Sequence, residues 1–194
     1  MPEKKKPNAA ALRWEIRESS SLYSNKILNV RADRIIVRDG SDTEYACLER
    51  APAVIVVPIT REGQILTVRQ YRYPVDDWCV EVPASEARDT GDESLRETVR
   101  RKLGEEIGAT CGALTYRGFF YSAPSLTDEK CHVFLAENVD VTRPPDTEAT
   151  KEIEIKLMPA DELVETVRSG KLKDSASSLA VLWCEPLLRE RGYI

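Results

Sequence analysis

Apolar and polar residues follow two periods along this chain, and the change from one to the other marks out its elements. Residues 14–17, 27–38 and 44–48 are β-type runs and predict three strands. They are separated by the serine tract at 19–21 and by Asp39-Gly40-Ser41-Asp42, which has the composition of a hairpin turn. Residues 53–59 form an unbroken apolar run, the pattern of a strand buried on both faces. Arg61-Glu62-Gly63 then turns the chain into a strand over 64–68, and 78–82 predict another. From there the period changes: Leu95, Val99, Leu103 and Ile107 recur every fourth residue and lay an apolar stripe along one side of a helix. Thr90 or Asp92 stands where that helix would start, with Thr90-x-x-Glu93 matching a capping box, and Gly108 stands where it would end. Residues 113–121 and 130–136 predict two further strands, 139–150 a polar loop bent at Pro144-Pro145, and 153–157 a return to strand. The remainder, 159–194, reads as two helices split at Gly170.

Composition narrows the class. The chain has 194 residues, enough for one good-sized domain with an N-terminal extension. Residues 1–10 are polar and lysine-rich with two prolines, which predicts a disordered start. We divide the rest into an N-terminal β-sheet region over 11–50 and a main domain over 51–194, with no internal repeat and no linker inside the core. A formal net charge of −5, with no basic cluster beyond Lys4 to Lys6, gives no reason to expect a nucleic-acid surface. No window approaches the length of an apolar membrane span, and no apolar region follows the basic N-terminus, so neither a membrane partner nor a signal peptide is expected and the cytoplasm is the default. The five cysteines, Cys47, Cys79, Cys111, Cys131 and Cys184, are widely spaced with no Cys-x-x-Cys pair, and read as reduced core residues. The single histidine, His132, lies inside a predicted strand and reads as a core residue with one hydrogen bond.

The chemistry gathers on the predicted helix. Arg101, Lys102, Glu105 and Glu106 lie within reach of one another because positions three and four apart share a helix face. The stretch EVPASEARDTGDESLRETVRRKLGEEIGA over residues 81–109 resembles the signature of the Nudix hydrolases, G-x5-E-x7-R-E-U-x-E-E-x-G-U with U apolar. Glu93, Arg101, Leu103, Glu105, Glu106, Gly108 and Ala109 all fall on its positions. Two positions depart from it. Counting back from Glu93 puts Ala87 where the signature has glycine; if the family's Pro-Ala-Gly corner is laid on Pro83-Ala84-Ser85 instead, the loop is two residues longer and serine takes the glycine's place. The graver departure is Lys102, which stands where the family carries a glutamate of its metal-binding set.

The resemblance runs further along the chain, over roughly residues 50 to 188. Arg69-Gln70-Tyr71-Arg72 leading into Glu81-Val82-Pro83-Ala84 looks like the ADP-ribose pyrophosphatase branch. The run from Ser122 to Glu129 is similar to that branch's substrate loop, with Ser125 in place of glycine, and the run from Ser169 to Ser175 is similar to a turn of the family. The resemblance implies an α+β fold, an α/β/α sandwich around a mixed sheet, preceded by a small antiparallel sheet that pairs two subunits into a homodimer. A sheet decorating a monomer is the alternative. It also implies that the Ala84 carbonyl, Glu105 and Glu106 hold magnesium or manganese, while Glu93 orients Arg101 or completes the shell. Glu148 and Glu152 surround the position of a water-activating glutamate, where a gap-free alignment puts Lys151; as the plainer alternative they are solvated loop charges. Arg69, Arg72, Glu81, Ser125 and Glu129 are the expected substrate-binding residues. Arg69 and Arg72 suit a phosphate because a guanidinium fork makes paired charge-assisted bonds, and a structural ion pair is the alternative for both.

A diphosphate linkage resists attack because of its negative charge, and its hydrolysis calls for divalent cations to screen oxygens and a base to activate water. Magnesium prefers carboxylate oxygens and retained waters. Exchanging a carboxylate for an ammonium at Lys102 moves the local charge the wrong way, so metal binding is expected to be weak. Two function classes follow: a metal-dependent hydrolase of ADP-ribose or a related nucleoside diphosphate sugar, and a nucleotide-sugar binding or regulatory module that has lost the reaction.

Overall fold

A computed structural model describes residues 6–87, 94–144 and 153–194. By its internal contacts the chain forms two units, one of residues 1–50 with 121–129 and one of residues 51–120 with 130–194.

The first unit opens with one helical turn, α1 (Pro7–Ala11), where Pro7 sits in the first turn and gives up no hydrogen bond there. The expected disordered start is thus helical from Pro7 onward, and residues 1–5 lie outside the described residues. Strands β1 (Glu15–Ser24), β2 (Asn29–Ile36) and β3 (Asp42–Glu49) make a three-stranded antiparallel sheet. The serine tract does not separate strands; it lies inside β1. Two of its hydroxyls find partners on β2, Ser19 donating to Asp33 at 2.6 Å and Ser21 to Asn29 at 2.7 Å. Those cross-strand bonds offset the weak strand propensity of serine. The turn at Asp39–Asp42 joins β2 to β3, with Gly40 at φ 85° and the Asp39 carboxylate accepting from the Ser41 N–H. Residues 121–129 join this unit because the Leu48 N–H donates to the Leu126 carbonyl at 2.8 Å.

The second unit is built on a mixed seven-stranded sheet. Its strands are β4 (Ala53–Ile59), β5 (Gln64–Arg72), β6 (Asp77–Glu81), β7 (Ala84–Glu86), β9 (Leu114–Tyr121), β10 (Lys130–Glu137) and β12 (Ile153–Pro159). The main path runs β12-β5-β4-β10-β9, with β6 added to β5 and β7 to β4. β4 and β10 are parallel and central, which is why β4 is buried along its whole length and carries no polar side chain. Two short strands, β8 (Ala109–Thr110) and β11 (Asp140–Val141), pair separately.

Side-chain alternation sends β4 and β10 residues to two cores. Ile55, Val57, Val133 and Leu135 pack against α3 (Ala160–Arg168) and α4 (Ser175–Glu190). Val54, Val56 and Phe134 pack against Val99, Leu103 and Ile107 of α2 (Leu95–Ile107) on the other face. Helices therefore cover both faces, the expected α/β/α sandwich. The expected cap is corrected: α2 starts after Ser94, not at Thr90 or Asp92, and the capping box pairs Ser94 with Glu97.

The end of α2 is tied down from a distance. Gly108 takes φ 65°, and its carbonyl accepts from the N–H groups of Thr142 and Arg143, while the Arg143 Nη2 donates to the Gly104 carbonyl at 2.7 Å. A Cβ on Gly108 would lie 1.9 Å from the Arg143 carbonyl oxygen, whereas one on Gly104 would meet nothing closer than 3.9 Å.

Gly108→Ala is expected to cost about 2 kcal/mol or more in a urea titration, since the left-handed conformation is unfavourable before the clash is added. Gly104→Ala is expected to be neutral or up to about 1 kcal/mol stabilising, because alanine is the better helix former and has room. His132 is half-buried, and its Nδ1 shares a hydrogen bond with the Tyr116 hydroxyl at 3.0 Å. Burial first and Lys130 second hold its pKa below 6.5. As pH falls below that value the unfolded chain binds a proton that the folded chain resists, so stability drops until the lower folded pKa is passed. His132→Gln is expected to lessen the loss of Tm between about pH 7 and about pH 5.5 relative to the parent protein.

Candidate active site

The buried stripe of α2 decides where its polar side points. With Thr98, Val99, Leu103 and Ile107 against the sheet, Arg101, Lys102, Glu105 and Glu106 are all left half-buried along the helix flank. Glu105 holds two cations: the Arg101 Nη1 lies 3.3 Å from both of its carboxylate oxygens, and the Lys102 Nζ lies 3.4 Å from Oε2.

Opposite this flank stands the corner leading into β7. The Val56 N–H donates to the Pro83 carbonyl at 2.9 Å, and Ile55 faces Ala84 across the antiparallel pair. Directly opposed residues alternate between hydrogen-bonded and non-bonded pairs; Val56 with Pro83 is a bonded pair, so Ile55 with Ala84 is a non-bonded one and the Ala84 carbonyl is not used by β4. Pro83, Ala84 and Ser85 line a small cleft together with Val54, Val56, Lys102, Leu103 and Glu106. The cleft encloses about 10 Å³, the room of a single water molecule. Lys102 keeps only 25% of its side-chain surface exposed, less than the 43% of Glu105.

The remaining expected residues are placed as follows. Arg72 makes a two-pronged pair with Glu81, Nε to Oε1 at 2.7 Å and Nη2 to Oε2 at 2.6 Å, and Gln70 donates to the same carboxylate at 2.9 Å. Glu81 is buried, and its hydrogen bond is the first cause of the raised pKa of Arg72. Arg69 reaches Glu154 at 3.1 Å and lies 4.3 Å over the Trp78 ring. A hydrogen bond from Lys156 is the first cause of the lowered pKa of Glu154, with Arg69 contributing. Both arginines are thus engaged in ion pairs within the chain.

Ser125 and Glu129 belong to the first unit. Ser125 lines a cavity of about 400 Å³ bordered by Trp14, Tyr45, Ile35, Arg31 and Leu126, among others. Glu129 is buried, accepts from the Ser122 hydroxyl at 2.7 Å and pairs with Arg50 at 3.3 Å, which ties the ends of its own loop. Glu93, Glu148 and Glu152 lie outside the described residues. The structure therefore brings together Arg101, Glu105, Glu106 and Ala84 with Lys102, and pairs Arg72 with Glu81.

Among the described residues the cleft does not present a donor set that fits magnesium or manganese. It offers one carboxylate, one carbonyl and an ammonium, and the second carboxylate, Glu105, is occupied by Arg101 and Lys102. Among the described residues no group of three His, Cys, Asp or Glu side chains is arranged to hold a metal ion.

A family model described as "NUDIX domain" matches residues 49–179. The chain is 28% identical over 165 residues to the "ADP-ribose pyrophosphatase" of Bacillus subtilis (strain 168), covering 84% of this chain and 88% of that one. It is 26% identical over 172 residues to the "Methanol dehydrogenase activator" of Bacillus methanolicus, covering 87% and 90%. A solved structure described as "Crystal structure of ADP compounds hydrolase" superposes with a TM-score of 0.77 at 18% identity, covering 93% of this chain and 97% of that one, a likeness of fold.

Arg72→Met leaves the buried Glu81 carboxylate with Gln70 as its partner in this cluster. The cost expected in chemical denaturation is about 1 to 3 kcal/mol, kept below that of a fully buried pair because the Arg72 side chain is half-exposed.

Proposed function

The chain belongs to the Nudix family, and on that premise we propose that it hydrolyses the pyrophosphate bond of ADP-ribose or a related nucleoside diphosphate sugar, with a weakened hold on the divalent metal that the family resemblance implies. The observation that carries this reading is the cleft between the Pro83–Ser85 corner and the polar flank of α2, which gathers Lys102, Glu106 and Ala84 at one point. The names of the Bacillus subtilis relative and of the superposed hydrolase support the substrate class.

In this reaction water attacks one phosphorus, the bridging P–O bond breaks, and a sugar phosphate and AMP leave. Arg101 and Lys102 offset charge that builds on the phosphoryl oxygens. Glu106, which borders the cleft, would take the proton of the water. Glu148 and Glu152 remain candidates for that role from the resemblance, with Glu93 as the partner of Arg101. Arg72 and Glu81, locked together, hold the strand that leads to the corner, so their part is to support the site.

A second reading has its own observation. Lys102 and Arg101 both bind Glu105, so the acids on α2 are already partly neutralised, as suits a nucleotide-sugar binding or regulatory module without turnover. A relative named as an activator agrees with that reading. We further propose a homodimer formed through the N-terminal sheet, where Leu22, Tyr23 and Ile27 stand exposed. A cytoplasmic location is in keeping with five free cysteines. Among the described residues no helix is long and apolar enough to cross a membrane.

The deciding experiment follows AMP release from ADP-ribose by the purified protein across a magnesium titration; absence of product at every magnesium concentration selects the second reading. Lys102→Glu is expected to tighten magnesium binding by about tenfold or more and to raise any hydrolysis, since an ammonium on the acidic flank would be exchanged for a carboxylate able to hold the ion. No gain in either quantity would count against this electrostatic account.

A further inference from the structure

Two departures from the family signature, one on the corner and one on α2, line the same cleft. Lys102 stands where the signature has glutamate, and Ser85 stands where the Pro-Ala-Gly corner has glycine; both line the cleft between the corner and α2. The pairing of Val54 with Ser85 and of Ile55 with Ala84 sets the corner on the rim of the sheet, beside the flank that bears Lys102. We propose that together they form a metal-independent diphosphate site, in which the Lys102 ammonium and the Ser85 hydroxyl, and no divalent cation, contact the non-bridging oxygens of a nucleoside diphosphate. The proposal rests on the reading of this cleft as the diphosphate site.

Lys102 gives the cleft a cation of its own, beside the one carboxylate Glu106. An ammonium carries three donors and no acceptor, and the contact to Glu105 engages one of them. A serine hydroxyl donates as readily as it accepts, so it matches a phosphoryl oxygen where glycine offers only backbone. The described charges on the flank, Arg101 and Lys102 against Glu105 and Glu106, balance. A glutamate in place of Lys102 would leave three acids against one arginine, a flank that repels a diphosphate unless a cation intervenes. Glu105 contributes by holding Lys102 at 3.4 Å along the flank, which limits the side-chain freedom lost when a ligand arrives.

The test is calorimetric titration of the full-length protein with ADP-ribose in EDTA and again in magnesium, and with inorganic pyrophosphate in EDTA to separate recognition of the diphosphate from that of the whole nucleotide. ADP-ribose is expected to bind in EDTA with an affinity that magnesium alters by less than about threefold, and pyrophosphate to compete with it. Lys102→Met is expected to weaken binding in EDTA by about tenfold or more and Ser85→Ala by about threefold, while Lys102→Arg retains most of it. Lys102→Glu is expected to lose binding in EDTA and recover it with magnesium. Circular dichroism melts of each variant identify any that fail to fold, and the arginine variant then carries the comparison. Binding of ADP-ribose only when magnesium is present, no binding of either ligand in EDTA, or binding in EDTA unchanged by Lys102→Met would each overturn the proposal. Phosphorus NMR of the same mixtures separates the two readings. Binding in EDTA without product in any metal leaves this site standing and removes the hydrolase, whereas product that needs magnesium without binding in EDTA does the reverse.

Discussion

The burial of one stripe of α2 is the constraint on which this site depends. Val99, Leu103 and Ile107 are almost wholly withdrawn from water against Val54, Val56 and Phe134. Each side chain of this kind contributes about 1.5 to 3 kcal/mol by leaving water, so a rotation of the helix that relieved the charged flank would cost far more than the flank's ion pairs return. The charged residues accordingly have no choice of direction. They face the corner before β7 because the apolar residues face the sheet.

The corner is held with comparable firmness by ordinary sheet bonding. Its carbonyl at Pro83 is used by Val56, and the next carbonyl, at Ala84, is left outside the ladder by the alternation of antiparallel pairs. Behind it, Glu81 sits buried with Arg72 and Gln70 closing around its carboxylate. A buried acid with three such bonds is a strut, since moving it would strand its charge. At the far end of α2, Thr142 and Arg143, more than thirty residues downstream, clamp the last turn through the carbonyls of Gly104 and Gly108. The helix is therefore held at its buried face and at its end, and the cleft forms between parts that have little freedom to separate.

Charge balance then sets the character of the cleft. A flank with acids in excess would demand a cation before it could accept any phosphate, while a flank with Lys102 in it carries its own. The same residue explains why Glu105 turns along the helix toward Arg101 and Lys102, and why only Glu106 of the two acids lines the cleft. The first unit has a separate economy: Ser125 opens on a cavity of its own, and Glu129 is spent on closing its loop.

Much of this was legible from residue order alone. Periodicity located β4, the buried stripe of α2 and the two closing helices, because hydrophobic spacing reports directly which face of an element leaves water. The acids and Lys102 could be put on one flank for the same reason, and fixed motif spacing singled out Lys102 as foreign. Residue order points to Thr90 or Asp92 as the start of α2, because several polar residues in a row are equally good caps, and only the bond between Ser94 and Glu97 selects one. The serine tract was misread as a break because its partners, Asp33 and Asn29, lie on another strand. Tertiary structure alone decided that Arg72 closes on Glu81, that Arg143 caps α2, and that Ser85 and Lys102 line one cleft. Each of these joins residues on different elements, and local pattern holds no information about which partner on another element will satisfy a given charge or fill a given space.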